Sequence, residues 1–248
     1  MEQMTSVNHI VPKQILLLTC EHAVNYIPAL YKSDFEAYSD LLETHRGIDI
    51  GAQAIARHLQ RFFQCELVEA TVSRLLIDCN RSLTHPHCFS EITEPWPHAK
   101  KHQLITHYHL PFRENVIHRI QEYIQDGYQI WHLSIHSFTP ILKNQIRQAD
   151  IGFLYDPQRS REKNLAYYWQ ENLKKAEKTL RIRMNYPYLG KSNGFTTTLR
   201  KRFSPTDYLG LEVETNQEHL QNATSIEAIA QGLALSLKPC LEIGNQFI

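Results

Sequence analysis

The chain has 248 residues, 42% hydrophobic and 21% charged, which is ordinary globular composition with enough apolar material for a sizeable core, and residues 1–248 read as a single domain. The formal net charge is zero, so no basic patch argues for a nucleic-acid or anionic-membrane partner, and no apolar run approaches the ~20 residues of a bilayer span. Five scattered cysteines without a C-x-x-C pair point to reduced thiols in a cytoplasm, and the N-terminal MEQMTSVNHIVPK has no basic region leading into a long apolar core, so no secretory signal is expected.

Residues 1–12 read as a poorly ordered lead-in. A strand over 14–19 follows; its run Ile15-Leu16-Leu17-Leu18 is apolar enough for full burial, and it leads into Cys20-Glu21-His22. Pro28 marks a loop, with one or two short helices expected between 29 and 42. Asp49 can cap, or open the first turn of, a helix that continues as IGAQAIARHLQRFF, whose Ile50, Ala54, Ile55, Leu59, Phe62 and Phe63 recur at helical spacing. Residues 67–71 and 74–78 read as strands, the second running straight into Cys79-Asn80-Arg81-Ser82. Residues 84–109 are rich in Pro and His, with weak periodicity, and read as a long loop of the kind that forms a lid or stays mobile. Pro111 opens a helix that runs to Gly127 and buries Val116, Ile117, Ile120 and Ile124. Strands over 129–136 and 150–155 come next, then a long polar helix over 161–179, a short strand over 181–185 and a Gly/Ser/Asn loop. A helix over 196–202, a strand over 209–215 and an amphipathic helix over 226–237 complete the chain. Strands alternate with helices, so the expected architecture is an α/β layer fold with a mostly parallel sheet.

In open α/β sheets, ligands bind beyond the carboxyl ends of the strands. Glu21/His22, Asn80/Arg81 and His136 stand at or just past such ends, Asp49 stands at a helix start, and Glu212 and Glu214 lie within a late strand. Two His, one carboxylate and an open position commonly hold catalytic zinc. A further carboxylate within hydrogen-bond reach takes the proton of the attacking water. The fork of an Arg matches a substrate carboxylate. In WHLSIHS, His132 and His136 point to the same face of a strand but lie ~13 Å apart, so they cannot share one metal. His136, at the strand end, is the better ligand, and His132 reads as a packed or hydrogen-bonded core residue. Glu212 and Glu214 share one face of an otherwise apolar strand, which is costly to bury unless the carboxylates are paired or bound; the alternative is an edge strand with a solvated face. For Asn80-Arg81 the alternative is a structural loop whose Arg meets a surface acid, and for Glu21-His22 it is a loop His beside a solvated Glu. The spacings of His85, His87, His98, His102, His107 and His109 fit no closed structural zinc site.

The segments Cys20-Glu-His-Ala23 with Ile27-Pro28, HRGIDIGA, SRLLIDCNRS, HLPFR, SIHSFTP, ADIGFLYD and GLEVETNQ span about residues 15–217 and together resemble the N-formylglutamate amidohydrolase (deformylase) family. That family is in turn similar to zinc carboxypeptidases and aspartoacylases. The resemblance implies a three-layer α/β/α fold with a mostly parallel, mixed central sheet, phosphorylase/hydrolase-like. It implies Zn2+ as cofactor and hydrolysis of an amide or formamide on a small acidic substrate. By the same resemblance His22 and His136 are zinc ligands. The carboxypeptidases take a carboxylate ligand three residues after the first His, where this chain has Asn25. Asp49 is the expected replacement, since it opens the helix after the first strand; Glu21 is the rival, but a side chain adjacent to His22 in a strand-like segment points the other way. Asn80 and Arg81 are similar to the Asn-Arg pair that grips the substrate carboxylate in aspartoacylases. Glu214 is similar in placement to the general base, with Arg81 as the nearby catalytic cation, and Arg113 and Arg74 are candidates for a second carboxylate clamp.

The expected reaction is therefore attack of a bound water, deprotonated by Glu214, on the formyl or acyl carbon of an N-formylglutamate-like substrate, with zinc held by His22, Asp49 and His136. Another divalent transition metal would also suit such ligands. A carboxypeptidase-like or peptidoglycan-fragment amidase would use the same site. A non-catalytic binding protein that keeps the fold is the reading that Asn25 favours.

Overall fold

The first strand, β1 (Lys13–Cys20), buries Leu16, Leu17 and Leu18, as its uninterrupted apolar run requires of a strand covered on both faces. The computed structural model describes residues 13–244, so the lead-in expected at 1–12 lies outside the described residues. Two short helices follow, α1 (Lys32–Phe35) and α2 (Ser39–Leu42), then α3 (Ala52–Phe63), β2 (Glu66–Glu69), α4 (His98–Leu104), α5 (Leu110–Gln125) and β3 (Tyr128–Phe138). A small antiparallel hairpin, β4 (Ile141–Leu142) and β5 (Gln145–Ile146), precedes β6 (Ile151–Leu154), α6 (Ser160–Ala176), β7 (Ile182–Met184), α7 (Phe195–Arg202), β8 (Tyr208–Asn216) and α8 (Ala223–Ile243).

Six strands form one mixed sheet in the order β2-β1-β3-β8-β6-β7. The first four run parallel; β6 pairs antiparallel with β8, and β7 runs parallel to β6. Successive strand residues alternate between the two faces, and the two faces differ in kind. On one, Leu16, Leu18, Leu133, Ile135, Leu211 and Val213 pack with Ile55 and Leu59 of α3, Trp169 of α6 and Leu233 and Leu237 of α8. On the other, Leu17, Ile130 and Tyr208 pack with Phe112, Val116 and Ile120 of α5 and Phe195 and Leu199 of α7. The architecture is three-layer α/β/α. Towards the carboxyl ends of the parallel strands the second face stops being apolar: Thr19, His132, Ser134, His136 and Glu214 are all buried there.

Three sequence expectations about backbone give way. Residues 74–78 form turns, not a strand: Ser73 accepts the Leu76 amide at its carbonyl (2.9 Å), and its hydroxyl donates to the Gly47 carbonyl (2.8 Å). Leu75, Leu76 and Ile77 are buried as the apolar run demands, but in a third cluster with Ile27, Tyr31, Phe35, Cys88 and Leu104. Residues 84–109 are not all loop, since α4 begins at His98 and continues through a π-helical turn (Ile105–His109) into α5. Pro111 thus lies inside a longer helical run. The wider π turn accommodates a residue that has no N–H to donate and whose ring crowds the preceding turn. Asp49 does not cap α3 with its side chain; Gly51 occupies the N-cap at φ +80°, and the Asp49 carboxylate turns towards the strand ends.

Candidate active site

β1, β3 and β8 lie side by side, and their carboxyl ends assemble a buried polar centre. His22 follows β1, His136 is near the end of β3, and the turn before α3 delivers Asp49, whose amide donates to the His22 carbonyl (3.1 Å). Asp49 Oδ2 lies 3.1 Å from His22 Nδ1 and 2.8 Å from His136 Nδ1. One ligand atom from each of His22, Asp49 and His136 falls within 4.8 Å of the others, and all three residues are buried. Two imidazoles and a carboxylate converging from three segments are a donor set that fits a divalent transition metal. The sheet register sets His136 directly opposite Glu214, and Glu214 Oε2 is buried without any hydrogen-bond partner among the described residues. An orphaned carboxylate oxygen beside such a centre marks a group that another molecule completes.

The far ring nitrogens are held as firmly as the near ones. His22 Nε2 meets Asp78 Oδ1 at 2.8 Å. His136 Nε2 meets the Ser134 hydroxyl at 2.8 Å, and that hydroxyl donates to Glu21 Oε2 at 2.7 Å. Because Ser134 spends its only proton on Glu21, His136 must donate from Nε2, so Nδ1, whose proton now goes to Asp49, is the nitrogen a metal would take. Asp78 does the same for His22. Glu21 is thus turned behind His136, as expected of a residue adjacent to His22. The Thr19 hydroxyl reaches its other oxygen at 2.7 Å.

The charges agree with a site built for a cation. Burial and Arg74 work against a proton on His22, but Asp78 and Asp49 outweigh them and its pKa is raised. Burial likewise opposes charge on His136, yet the bond to Asp49 and the field of Glu21, Asp49 and Glu214 lift it to about 10. Burial acts to raise Asp49, but the two imidazoles and Arg74 hold its carboxyl well below the usual range, and Asp78 is lowered against burial by His22 and Arg74. Glu214 goes the other way: burial is the largest cause and its pKa reaches about 7. The field that raises the pKa of both imidazoles is one that also favours a positive ion between them.

Two adjoining cavities of about 310 and 490 Å³ open over this centre and share Asp49, Arg74, Arg81, Ser137 and Tyr188 as lining. Asn80 lines the smaller one; its Oδ1 accepts the Phe195 amide (2.7 Å), and its Nδ2 has no protein acceptor among the described residues. The Arg81 side chain donates to the Asn193 carbonyl and lies 3.9 Å from Asp78. Arg74 lines both cavities, but its guanidinium is engaged by Asp49 Oδ1 (3.1 Å) and Asp78 Oδ2 (3.6 Å), so it orients those carboxylates. Arg113 is not brought to the cavities. It is buried over the Phe195 ring and donates to the Cys79 and Arg81 carbonyls and to Thr198, bracing the backbone that carries Asn80 and Arg81. The Glu212 carboxylate takes the Thr196 hydroxyl, so the two late-strand acids part company on a strand that is central, not at an edge. Asn25 donates to Glu43 (2.8 Å) and lines neither cavity. Sequence reasoning missed Asp78, whose signal was an acid ending an apolar run two residues before Asn80. It also missed Ser134, which sits two residues before His136 on the same strand face.

By its family the chain is a hydrolase of amide bonds. The family model described as N-formylglutamate amidohydrolase matches residues 15–220, and the chain belongs to that family. A gene product of Agrobacterium tumefaciens of known crystal structure is 30% identical, with a TM-score of 0.80, covering 94% of this chain and 92% of that one. The crystal structure of N-formylglutamate amidohydrolase from Ralstonia eutropha shares the fold at 18% identity, with a TM-score of 0.67, covering 96% of this chain and 100% of that one. No curated protein is a significant match to the chain. Among the described residues, no helix is long and apolar enough to cross a membrane.

Proposed function

We propose that the protein is a zinc-dependent amidohydrolase that cleaves the formyl or acyl amide of a small acidic amino acid, with N-formyl-L-glutamate and water giving formate and L-glutamate. The observation that carries this reading is the orphaned Glu214 Oε2, buried on the strand next to His136 and lining the same cavity as His22 and Asp49. His22 and His136, through Nδ1, and Asp49 are the ligands; Asp78 and the Ser134–Glu21 pair hold the two imidazoles in the tautomer that leaves Nδ1 free. Zinc bound there supplies a Lewis acid for the carbonyl oxygen and lowers the pKa of a water. Glu214 Oε2 takes a proton from the attacking water. As the oxygen–carbon bond forms and the carbon–nitrogen bond breaks, the same carboxyl returns that proton to the leaving nitrogen. Arg81 and the free Nδ2 of Asn80 hold the carboxylate next to the scissile amide, and Arg113 keeps their backbone in place.

The five cysteines are free thiols, which supports a reducing, cytoplasmic setting. The test is to purify the protein without chelator, measure bound metal by elemental analysis, and assay formate release from N-formyl-L-glutamate. About one zinc per chain with stoichiometric formate is the expected result. Failure to take up metal on titration overturns the zinc assignment. Bound zinc without formate from any formyl-amino acid overturns the substrate.

A further inference from the structure

Arg147 follows the hairpin of β4 and β5, just beyond β3, and its amide closes that hairpin on the Pro140 carbonyl (2.8 Å). It is 8% exposed, yet it pairs with no carboxylate among the described residues. Its neighbours in the larger cavity are otherwise accounted for: Arg46 meets Glu91, Arg74 meets Asp49 and Asp78, and Arg81 approaches Asp78. The buried Arg200 has Glu162 at 3.0 Å. Arg147 has instead the Tyr188 hydroxyl at 3.0 Å, the Thr139 carbonyl at 3.4 Å, and the rings of Tyr188 and Phe138 at 5.0 and 5.6 Å from its guanidinium carbon; its Nε has no acceptor among the described residues. Arg113 is also buried without an acid, but three protein acceptors close its fork and it lines no cavity.

A guanidinium taken out of water without an anion is costly, and the cost is recovered when an anion arrives. The cleft carries Arg46, Arg74, Arg81 and Arg147 beside Asp49, Asp78, Glu91 and Glu94, and on the same wall the pKa of His45 is lowered first by burial and then by Arg74, Arg147 and Arg46. The larger cavity runs from Asp49 to Arg147, and Tyr188 and Arg81 belong to both cavities.

We infer that Arg147, braced by Tyr188, is a second carboxylate subsite, so that the enzyme selects N-acyl amino acids carrying a second carboxylate on the side chain. This rests on the reading of the centre given above. The carboxylate adjacent to the scissile amide falls to Arg81 and Asn80, and the remote one falls to the Arg147 fork. An amide or alkyl group at that end leaves the buried cation unpaired, and such discrimination is strong because the penalty falls on the wrong substrate.

The test is the ratio of kcat/KM for N-formyl-L-glutamate to that for N-formyl-L-glutamine, in the wild type and in Arg147→Gln. The wild type prefers the diacid, and the ratio drops at least about tenfold in the variant, mainly through KM. Arg147→Lys restores part of it, which also covers the case in which Arg147→Gln does not fold. A ratio that stays the same, whatever the absolute rates, overturns the inference. If the wild type cleaves neither compound, the reading of the reaction fails, and the subsite is then judged by calorimetry with glutarate and butyrate. Tighter glutarate binding that Arg147→Lys weakens supports the subsite; equal affinity for the two acids overturns it.

Discussion

β3 carries two histidines on one face, both buried, with opposite fates. His132 sits between two hydroxyls: Nδ1 lies 2.6 Å from the Tyr208 phenol and Nε2 2.8 Å from Thr19. Burial pulls its pKa to about 4, Glu21 offsets that only in part, and Arg200 and His136 add to the fall. His136 is driven to about 10 although burial opposes charge there too, because Asp49, Glu21 and Glu214 outweigh it. Equal burial with opposite outcome shows that the nearby carboxylates decide. A hydroxyl can accept or donate and favours neither state strongly, whereas a carboxylate stabilises only the cation. The middle of the strand is therefore a neutral hydrogen-bonded core and its end is a histidine ringed by carboxylates.

The largest way to break this contrast is His136→Ala. It should cost hydrolysis on the order of 10³-fold and remove the bound metal, while His132→Gln keeps its metal; elemental analysis beside steady-state kinetics checks both. Glu214→Gln should retain metal and lower kcat by roughly 10²–10⁴-fold. The wild-type profile should fall on the acid side as Glu214 protonates, with the metal-free value of about 7 shifted down by a bound cation, and that limb should be absent from the variant's kcat/KM against pH.

Stability carries the smaller effects. The pKa of His132 is depressed in the fold, so the unfolded chain takes up its proton first as pH drops. Stability is unaffected above about pH 6.5 and falls by about 3 kcal/mol on the way to pH 4. Denaturant titrations at pH 7 and 4.5 should show that loss reduced in His132→Gln. Tyr208→Phe strips His132 Nδ1 of its donor and should cost about 1–2 kcal/mol at pH 7 with catalysis per folded molecule little changed.

Much of the centre was legible because strand ends in a parallel sheet collect function, and His22, Asp49 and His136 sit at such ends or at a helix start. Four features were not legible. Leu75-Leu76-Ile77 announced burial, which a chain can satisfy with turns as well as with a strand, so the delivery of Arg74 and Asp78 by a loop was hidden. Pro111 looked like a helix start because a sequence does not reveal a π turn that absorbs it. Arg113 looked as free as any arginine; only the fold reveals three acceptors around it. Arg147 and Tyr188 are far apart in sequence and sit in connecting segments without periodicity, so nothing short of the folded hairpin and the loop before α7 brings them together.

The three strands that converge on the centre, β1, β3 and β8, occupy the interior of the sheet, shielded by β2 on one side and by β6 and β7 on the other. Interior strands are in general the last part of a fold to open to solvent, and connecting segments outside the sheet, the class to which the hairpin and loop that bring in Arg147 and Tyr188 belong, open more readily. The molecule thus divides its tasks by local stability. The candidate centre stands on the interior strands, and the proposed Arg147 subsite stands on connecting segments that can be reshaped without dismantling the sheet.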